Sequence, residues 1–198
     1  MHRLKRILAI LLFASLFLVP KPAKAYYYYY YDEYYGKVHL GEPFIYFDLF
    51  DTYYQRWIST YLRGKPVILL TAHRYQRYEL LKWAESFRQE YMNKGKAYVL
   101  WVVNLRKCHW NTSRFTIYDQ WRWFNPSIPV LLDWDGVIGK SLRINYNVPN
   151  IIVLDSYGRL VMHEMHTYTP EVYKAVSAKI RPFCNNKKLR KGRYGDSF

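Results

Sequence analysis

The stretch Pro129–Val137, PVLLDWDGV, is followed a few residues later by Val148–Leu160, VPNIIVLDSYGRL. Each holds a short apolar run closed by an Asp-x-x-Gly turn, Asp133-Trp134-Asp135-Gly136 and Asp155-Ser156-Tyr157-Gly158. Short, continuous apolar runs bounded by turn residues suit strands buried on both faces. The second turn is tight, so Arg159–Met165 is expected to return antiparallel to Ile151–Leu154. Val137–Ile144, between the two halves, reads as a helix.

Upstream the same alternation continues. Gly64-Lys65-Pro66 breaks the chain before Val67–Ala72, a third fully apolar run. Arg77–Met92 places Leu80, Ala84, Phe87 and Tyr91 at spacings of four, three and four, one stripe of an amphipathic helix. Asn93 and Gly95 suit its end. Ala97–Val103 is another buried strand, Arg106–Ser113 a polar loop holding Cys108, Phe115–Phe124 a helix and Ile128–Leu132 a strand. Nearer the start, Phe44–Asp48 (FIYFD) reads as a strand, with Asp51 or Thr52 capping a helical turn that runs to Leu62. At the far end Thr169 is a good N-cap, Pro170 fits the first helical position and Glu171 complements the dipole of a helix reaching about Ile180. Crossover helices imply parallel strands in the first half, and the hairpin adds antiparallel ones. The expected class is α/β, a central mixed sheet flanked by helices.

Length and composition bound the function. The 198 residues are 51% hydrophobic, enough for one core. Two cysteines exclude a disulfide-stapled miniprotein and a multi-cysteine metal site. The first 25 residues read as an export signal. Arg3, Lys5 and Arg6 precede the apolar run Ile7–Val19, and Ala23-Lys24-Ala25 is an A-x-A cleavage site. That run falls short of the about 20 residues that span a bilayer. A periplasmic or secreted protein, cleaved near Ala25, is expected. Residues 26–41 form a tyrosine-rich segment, opening with six consecutive tyrosines, Tyr26–Tyr31. A flexible spacer is expected there. The formal net charge is +15, but basic residues concentrate in the signal and after Lys179. Residues 182–198 therefore read as a basic tail, able to touch anionic lipid or cell-wall polymer, and nucleic acid is not expected. Residues 42–181 remain as the folded domain.

This arrangement, with Gly-Lys-Pro before the first central strand and Val148-Pro149-Asn150 opening the hairpin, resembles the thioredoxin-like superfamily. Its exported branches are the most similar: thiol–disulfide oxidoreductases of the TlpA and ResA kind, peroxiredoxin-like proteins and YtfJ-type periplasmic proteins. The resemblance implies a thioredoxin-like fold over roughly residues 42–180. It also implies a cis peptide at Pro149, with the backbone of Val148 pairing to an extended peptide by strand addition.

The chemistry of that superfamily does not carry over. Its C-x-x-C pair opens the helix after the first central strand, where the helix dipole favours the thiolate. Here that window is His73-Arg74-Tyr75-Gln76-Arg77-Tyr78-Glu79, without a cysteine. No sulfur means no nucleophile for disulfide exchange. His73 stays a weak acid–base candidate, and Tyr75 and Tyr78 are candidate contacts for a partner. In the implied topology Cys108 follows a strand at its carboxyl end, whereas Cys184 follows the last helix toward the other pole. A Cys108–Cys184 disulfide would need the tail to fold back, although an oxidising compartment favours pairing. The expected function is a redox-inactive, non-catalytic module that binds an extended peptide or envelope protein, without a cofactor. Two rivals stand beside it. One is a thiol–disulfide oxidoreductase or peroxiredoxin-like enzyme using Cys108 or Cys184. The other is a copper-binding protein using Met162-His163-Glu164-Met165-His166, where alternation along a strand leaves at most two ligands on one side.

Overall fold

In the computed structural model the described residues are 38–106, 113–124, 126–142 and 144–185. The apolar runs become the middle of one seven-stranded sheet. Strand β3 (Val67–Thr71) is buried along its whole length. It pairs in parallel with β4 (Tyr98–Asn104), and β4 pairs in parallel with β5 (Val130–Asp133). On the other side of β3, β6 (Asn150–Leu154) runs antiparallel and carries its hairpin partner β7 (Leu160–Met165). Strands β1 (Asp48–Asp51) and β2 (Arg56–Ile58) form a second hairpin that adds to β5. The order across the sheet is β2-β1-β5-β4-β3-β6-β7.

Successive side chains of a strand point to opposite faces, and here both faces are covered. Ile68, Leu70, Val99, Trp101, Val103, Ile151 and Val153 join one core cluster, while Val67, Leu69, Leu100, Val102 and Ile152 join another. The first face is covered by α1 (Arg77–Phe87), α2 (Arg114–Phe124) and α4 (Pro170–Cys184). The short α3 (Val137–Ser141) and the segment around Val38–Ile45 cover the second. The stripe Leu80, Ala84, Phe87 and Tyr91 is buried as its spacing requires, and Trp83 joins it. After Phe87 the helix widens into one π turn, Arg88–Met92. Gly95, at φ +61°, then reverses the chain. Thr169 caps α4, its Oγ1 accepting from Val172 N at 3.2 Å. That helix runs on to Cys184, and α3 stops at Ser141 rather than Ile144.

The main departure lies near the start of the domain. Residues 52–62 were expected to be helical but form the β1–β2 hairpin and a 3-10 turn, Ser59–Leu62. Asp51 is the reason. Its buried carboxylate accepts from Tyr53 N (2.8 Å), Gln55 N (2.9 Å) and Trp57 Nε1 (3.0 Å), folding the chain back on itself. The same residue type that caps helices also organises tight turns. Tyr54 takes the left-handed conformation that this turn demands, at φ +63°. The strand correspondingly begins at Asp48 rather than at Phe44.

Candidate functional site

The carboxyl ends of parallel strands are where open α/β sheets place their sites. Here β3 ends at Thr71, and the chain enters α1 through a turn holding His73 and Tyr75, with Tyr78 in the helix's first turn. His73 N donates to Tyr146 O (2.7 Å), and His73 Nδ1 accepts from Tyr75 N at 3.4 Å. The imidazole and the Tyr75 ring lie 4.6 Å apart. Tyr75 is 75% exposed and Tyr78 62%. The Arg77 guanidinium stands 5.0 Å from the Tyr78 ring and 5.6 Å from that of Phe124. Glu79 points the other way, accepting from Lys82 Nζ and from Tyr168 N. Of the three sequence candidates here, the structure brings His73 and Tyr75 together, whereas Tyr78 lies in the first turn of α1 against Arg77 and Phe124.

The loop before β6 closes over this pole, and it departs from expectation. Among the described residues no peptide bond is cis, so Pro149 is trans. The trans form is the default for X-Pro unless the surroundings fix the other isomer. Here Asn150 fixes a different loop. Its buried carboxamide Nδ2 donates to Asn145 O (2.8 Å) and Val148 O (2.9 Å), with Thr71 O at 3.4 Å. Val148 N donates to Asn145 O (3.4 Å), and Pro149 O accepts from His166 N (3.0 Å). The backbone groups of Val148 are thus engaged inside the loop, and a strand added there would have to displace them. Asn150 carries this arrangement, and its place in Val148-Pro149-Asn150 gives no sign of it in the sequence.

Tyr146 extends the closure toward β4 and β5. Its hydroxyl meets Asn104 Nδ2 and lies over Gly139. Burial pushes the Tyr146 hydroxyl pKa up. Asp133, fully buried at the end of β5, accepts from Val137 N (3.0 Å) and Ile138 N (3.1 Å) and so caps α3. Burial raises its carboxyl pKa despite these bonds. The first Asp-x-x-Gly is therefore a structural turn.

The remaining candidates lie elsewhere. Cys184 sits at the end of α4, beside the π turn and Lys96, at the opposite pole from His73. It is a free, half-buried thiol, not half of a disulfide, and burial pushes its pKa up to about 12. A thiol held protonated is a poor nucleophile. Cys108 lies outside the described residues, as do residues 1–37 and the tail beyond Asn185. On β7, Met162 is packed into the core, His163 Nε2 meets Asn150 Oδ1 at 3.1 Å and His166 Nε2 meets Glu164 Oε2 at 3.0 Å. Among the described residues, no three His, Cys, Asp or Glu gather as a metal site. No helix among them is long and apolar enough to cross a membrane.

No protein-family model matches the chain, and no curated protein does. Solved structures do. The exposed lipoprotein thioredoxin of Streptococcus pneumoniae superposes with a TM-score of 0.56 at 20% identity, over 70% of this chain and 99% of that one. A putative protein disulfide isomerase from Bacteroides thetaiotaomicron gives 0.59 at 16% identity, over 76% and 93%. A putative thiol:disulfide interchange protein DsbE from Chlorobium tepidum gives 0.57 at 16%, over 75% and 99%. At such identities the likeness speaks for the fold, and together with the strand order and flanking helices it gives the chain the thioredoxin-like fold, without a C-x-x-C pair anywhere in its sequence.

Proposed function

We propose that this is an exported, redox-inactive protein that uses the thioredoxin-like frame to bind an extended peptide or an envelope protein at the His73–Tyr78 turn. The carrying observation is the content of that turn. Where a dithiol would open α1, two exposed tyrosines and an imidazole stand instead, and the described thiol lies at the far pole. Tyrosines offer large rigid contact area with a polar tip, which suits protein recognition. With Val148 engaged inside its own loop, side chains rather than strand addition carry the contact. Export rests on the signal-like first 25 residues, and the basic tail serves as an anchor to anionic envelope material.

The test is selection of peptides on an array with the purified protein, followed by titration of the best binder. A Tyr75→Ala/Tyr78→Ala variant is expected to lose about tenfold or more in affinity, and Cys108→Ser none. Insulin reduction that disappears in Cys108→Ser would replace this reading with an oxidoreductase. Copper retained through dialysis and lost in His163→Ala would replace it with a metal carrier.

A further inference from the structure

The pole of the sheet away from His73 gathers cations that the fold leaves without a carboxylate. At this end β3, β4 and β7 begin and β6 ends, with Tyr98, Val67, Leu154 and Leu160 in one row. At about 4.8 Å between strands the row is about 14 Å wide. Arg63 and Lys65 stand on the turn entering β3, Lys94 and Lys96 on the turn entering β4, and Arg159 on the turn entering β7. All but Lys96 are exposed. The turns adjoin. Gly64 N donates to Ser156 O (2.8 Å), Tyr98 N donates to Pro66 O (2.9 Å), and Arg63 Nε lies 3.8 Å from where a Cβ on Gly158 would stand.

Elsewhere Arg56, Lys82, Arg88, Arg122, Lys179 and Arg181 each meet a carboxylate. Among the described residues none of the five cations at the pole does. Lys65 Nζ lies 5.4 Å from the Tyr98 ring, the Arg159 guanidinium lies 5.8 Å from the Tyr157 ring, and Lys96 Nζ donates to Asn185 Oδ1 at 3.3 Å. None of these neutral partners cancels a charge. The acids on the same turns are engaged with other groups. Asp155 accepts from Tyr157 N and Arg159 N, Glu42 accepts from His39 N, and Glu90 is held by Tyr173, Ser177 and Arg181. Five cations against these acids leave the pole positive, and their mutual repulsion is relieved by an anionic partner. The sequence after Asn185, the partner of Lys96, adds Lys187, Lys188, Arg190, Lys191 and Arg193 against Asp196 alone.

The character of the pole selects a surface rather than a single phosphate. Its cations stand exposed on three separate turns, and lysines act there as point charges without bidentate geometry. Apolar and amphipathic side chains flank them. Leu40 is 67% exposed and precedes Gly41, whose N–H donates to Leu160 O, and Tyr157 is 58% exposed beside Arg159. A leucine can enter acyl chains, and a tyrosine suits the headgroup level. We propose that this pole docks on an anionic lipid bilayer, with Arg63, Lys65, Lys94, Lys96 and Arg159 on its phosphates and Leu40 and Tyr157 at its surface. Because β3 carries the chain about 20 Å from Pro66 to Ala72, the His73–Tyr78 turn then faces away from the lipid. This deepens the anchoring part of the proposed function and uses no residue of its peptide contact.

Cosedimentation with vesicles of phosphatidylcholine, alone or mixed with phosphatidylglycerol, tests it. The protein used is the chain from Tyr26, since the sheet and both cores lie wholly after residue 37. Only the mixed vesicles should bind, and less so as salt rises. Arg63→Gln/Lys94→Gln/Arg159→Gln should weaken binding about tenfold or more at an unchanged melting temperature. Lys82→Gln/Lys140→Gln/Lys174→Gln, the same loss of charge on α1, α3 and α4, should weaken it far less. Leu40→Ser should weaken it, and Tyr75→Ala/Tyr78→Ala should leave it unchanged. Binding by the first variant equal to the parent's overturns the docking pole but leaves the tail as anchor, and so does equal loss in both triple variants. Failure of the parent to bind mixed vesicles overturns pole and tail anchor together, while the peptide contact keeps its own test. Tighter binding to oligothymidylate than to the vesicles would overturn the proposal by assigning the pole to nucleic acid.

Discussion

Gly139 has no room for a side chain. A Cβ built there would lie 2.0 Å from the Tyr146 hydroxyl and 2.9 Å from Asn104 Nδ2. Gly139→Ala should therefore push the 144–149 loop off its seat and cost about 1–3 kcal/mol, read from the urea midpoint. Adding Tyr146→Phe should recover part of the loss, because the next ring atom stands at 3.2 Å. Equal midpoints for the parent and Gly139→Ala would sink this account. Cys184 makes a second prediction at this scale. With its pKa raised to about 12 by burial, the native thiol should react with iodoacetamide far more slowly at pH 8 than after unfolding. Neither property was legible in the sequence. Gly139 reads as an ordinary small residue in a helix, and the burial of Cys184 depends on how far α4 continues.

At the scale of elements, α4 is held to the π turn by one carboxylate. Glu90 accepts from Tyr173 Oη (2.6 Å), Ser177 Oγ (2.9 Å) and Arg181 Nε (3.2 Å). Tyr91 Oη meets Ser177 Oγ at 2.6 Å beside it. Burial pushes the Glu90 carboxyl up, but the three donors together hold it below the ordinary value. Glu90→Gln keeps the shape and removes the charge, so it should cost about 1–3 kcal/mol, with α4 losing amide-exchange protection before the sheet does. Uniform loss of protection would argue against a local clamp. The stripe of α1 was readable because its period is that of a helix. The π turn was not, since widening by one residue leaves Tyr91 on the same apolar stripe. The β1–β2 hairpin was misread for a related reason. Asp51 followed by tyrosines suits a cap or a turn equally well, and only the Trp57 indole reaching back to its carboxylate decides.

For the whole molecule the ionisable groups set a stability window. Glu85 is held near 2, first by Arg88 and then by Ser127 and Gln89, and the carboxyls of Asp48 and Glu164 are also lowered. A lowered carboxyl contributes stability above its unfolded value, and that contribution is lost as pH falls through the folded one. Melting temperature should thus drop below about pH 4.5. At the alkaline end Cys184 and Tyr91 are both raised to about 12, so stability should fall as pH climbs from about 9. A melting profile without that plateau between the two limits would contradict the assignment. Most of this frame was readable from apolar runs and Asp-x-x-Gly turns, since buried strands leave a continuous signature. The closure of the pole was not, because it depends on one carboxamide reaching three carbonyls brought together by the fold. Asn150 occupies the Val148 carbonyl from within the molecule. Cysteines placed at positions 74 and 77 would consequently supply a dithiol at the head of α1 without opening the neighbouring backbone, and a strand could add there only once Asn150 let go.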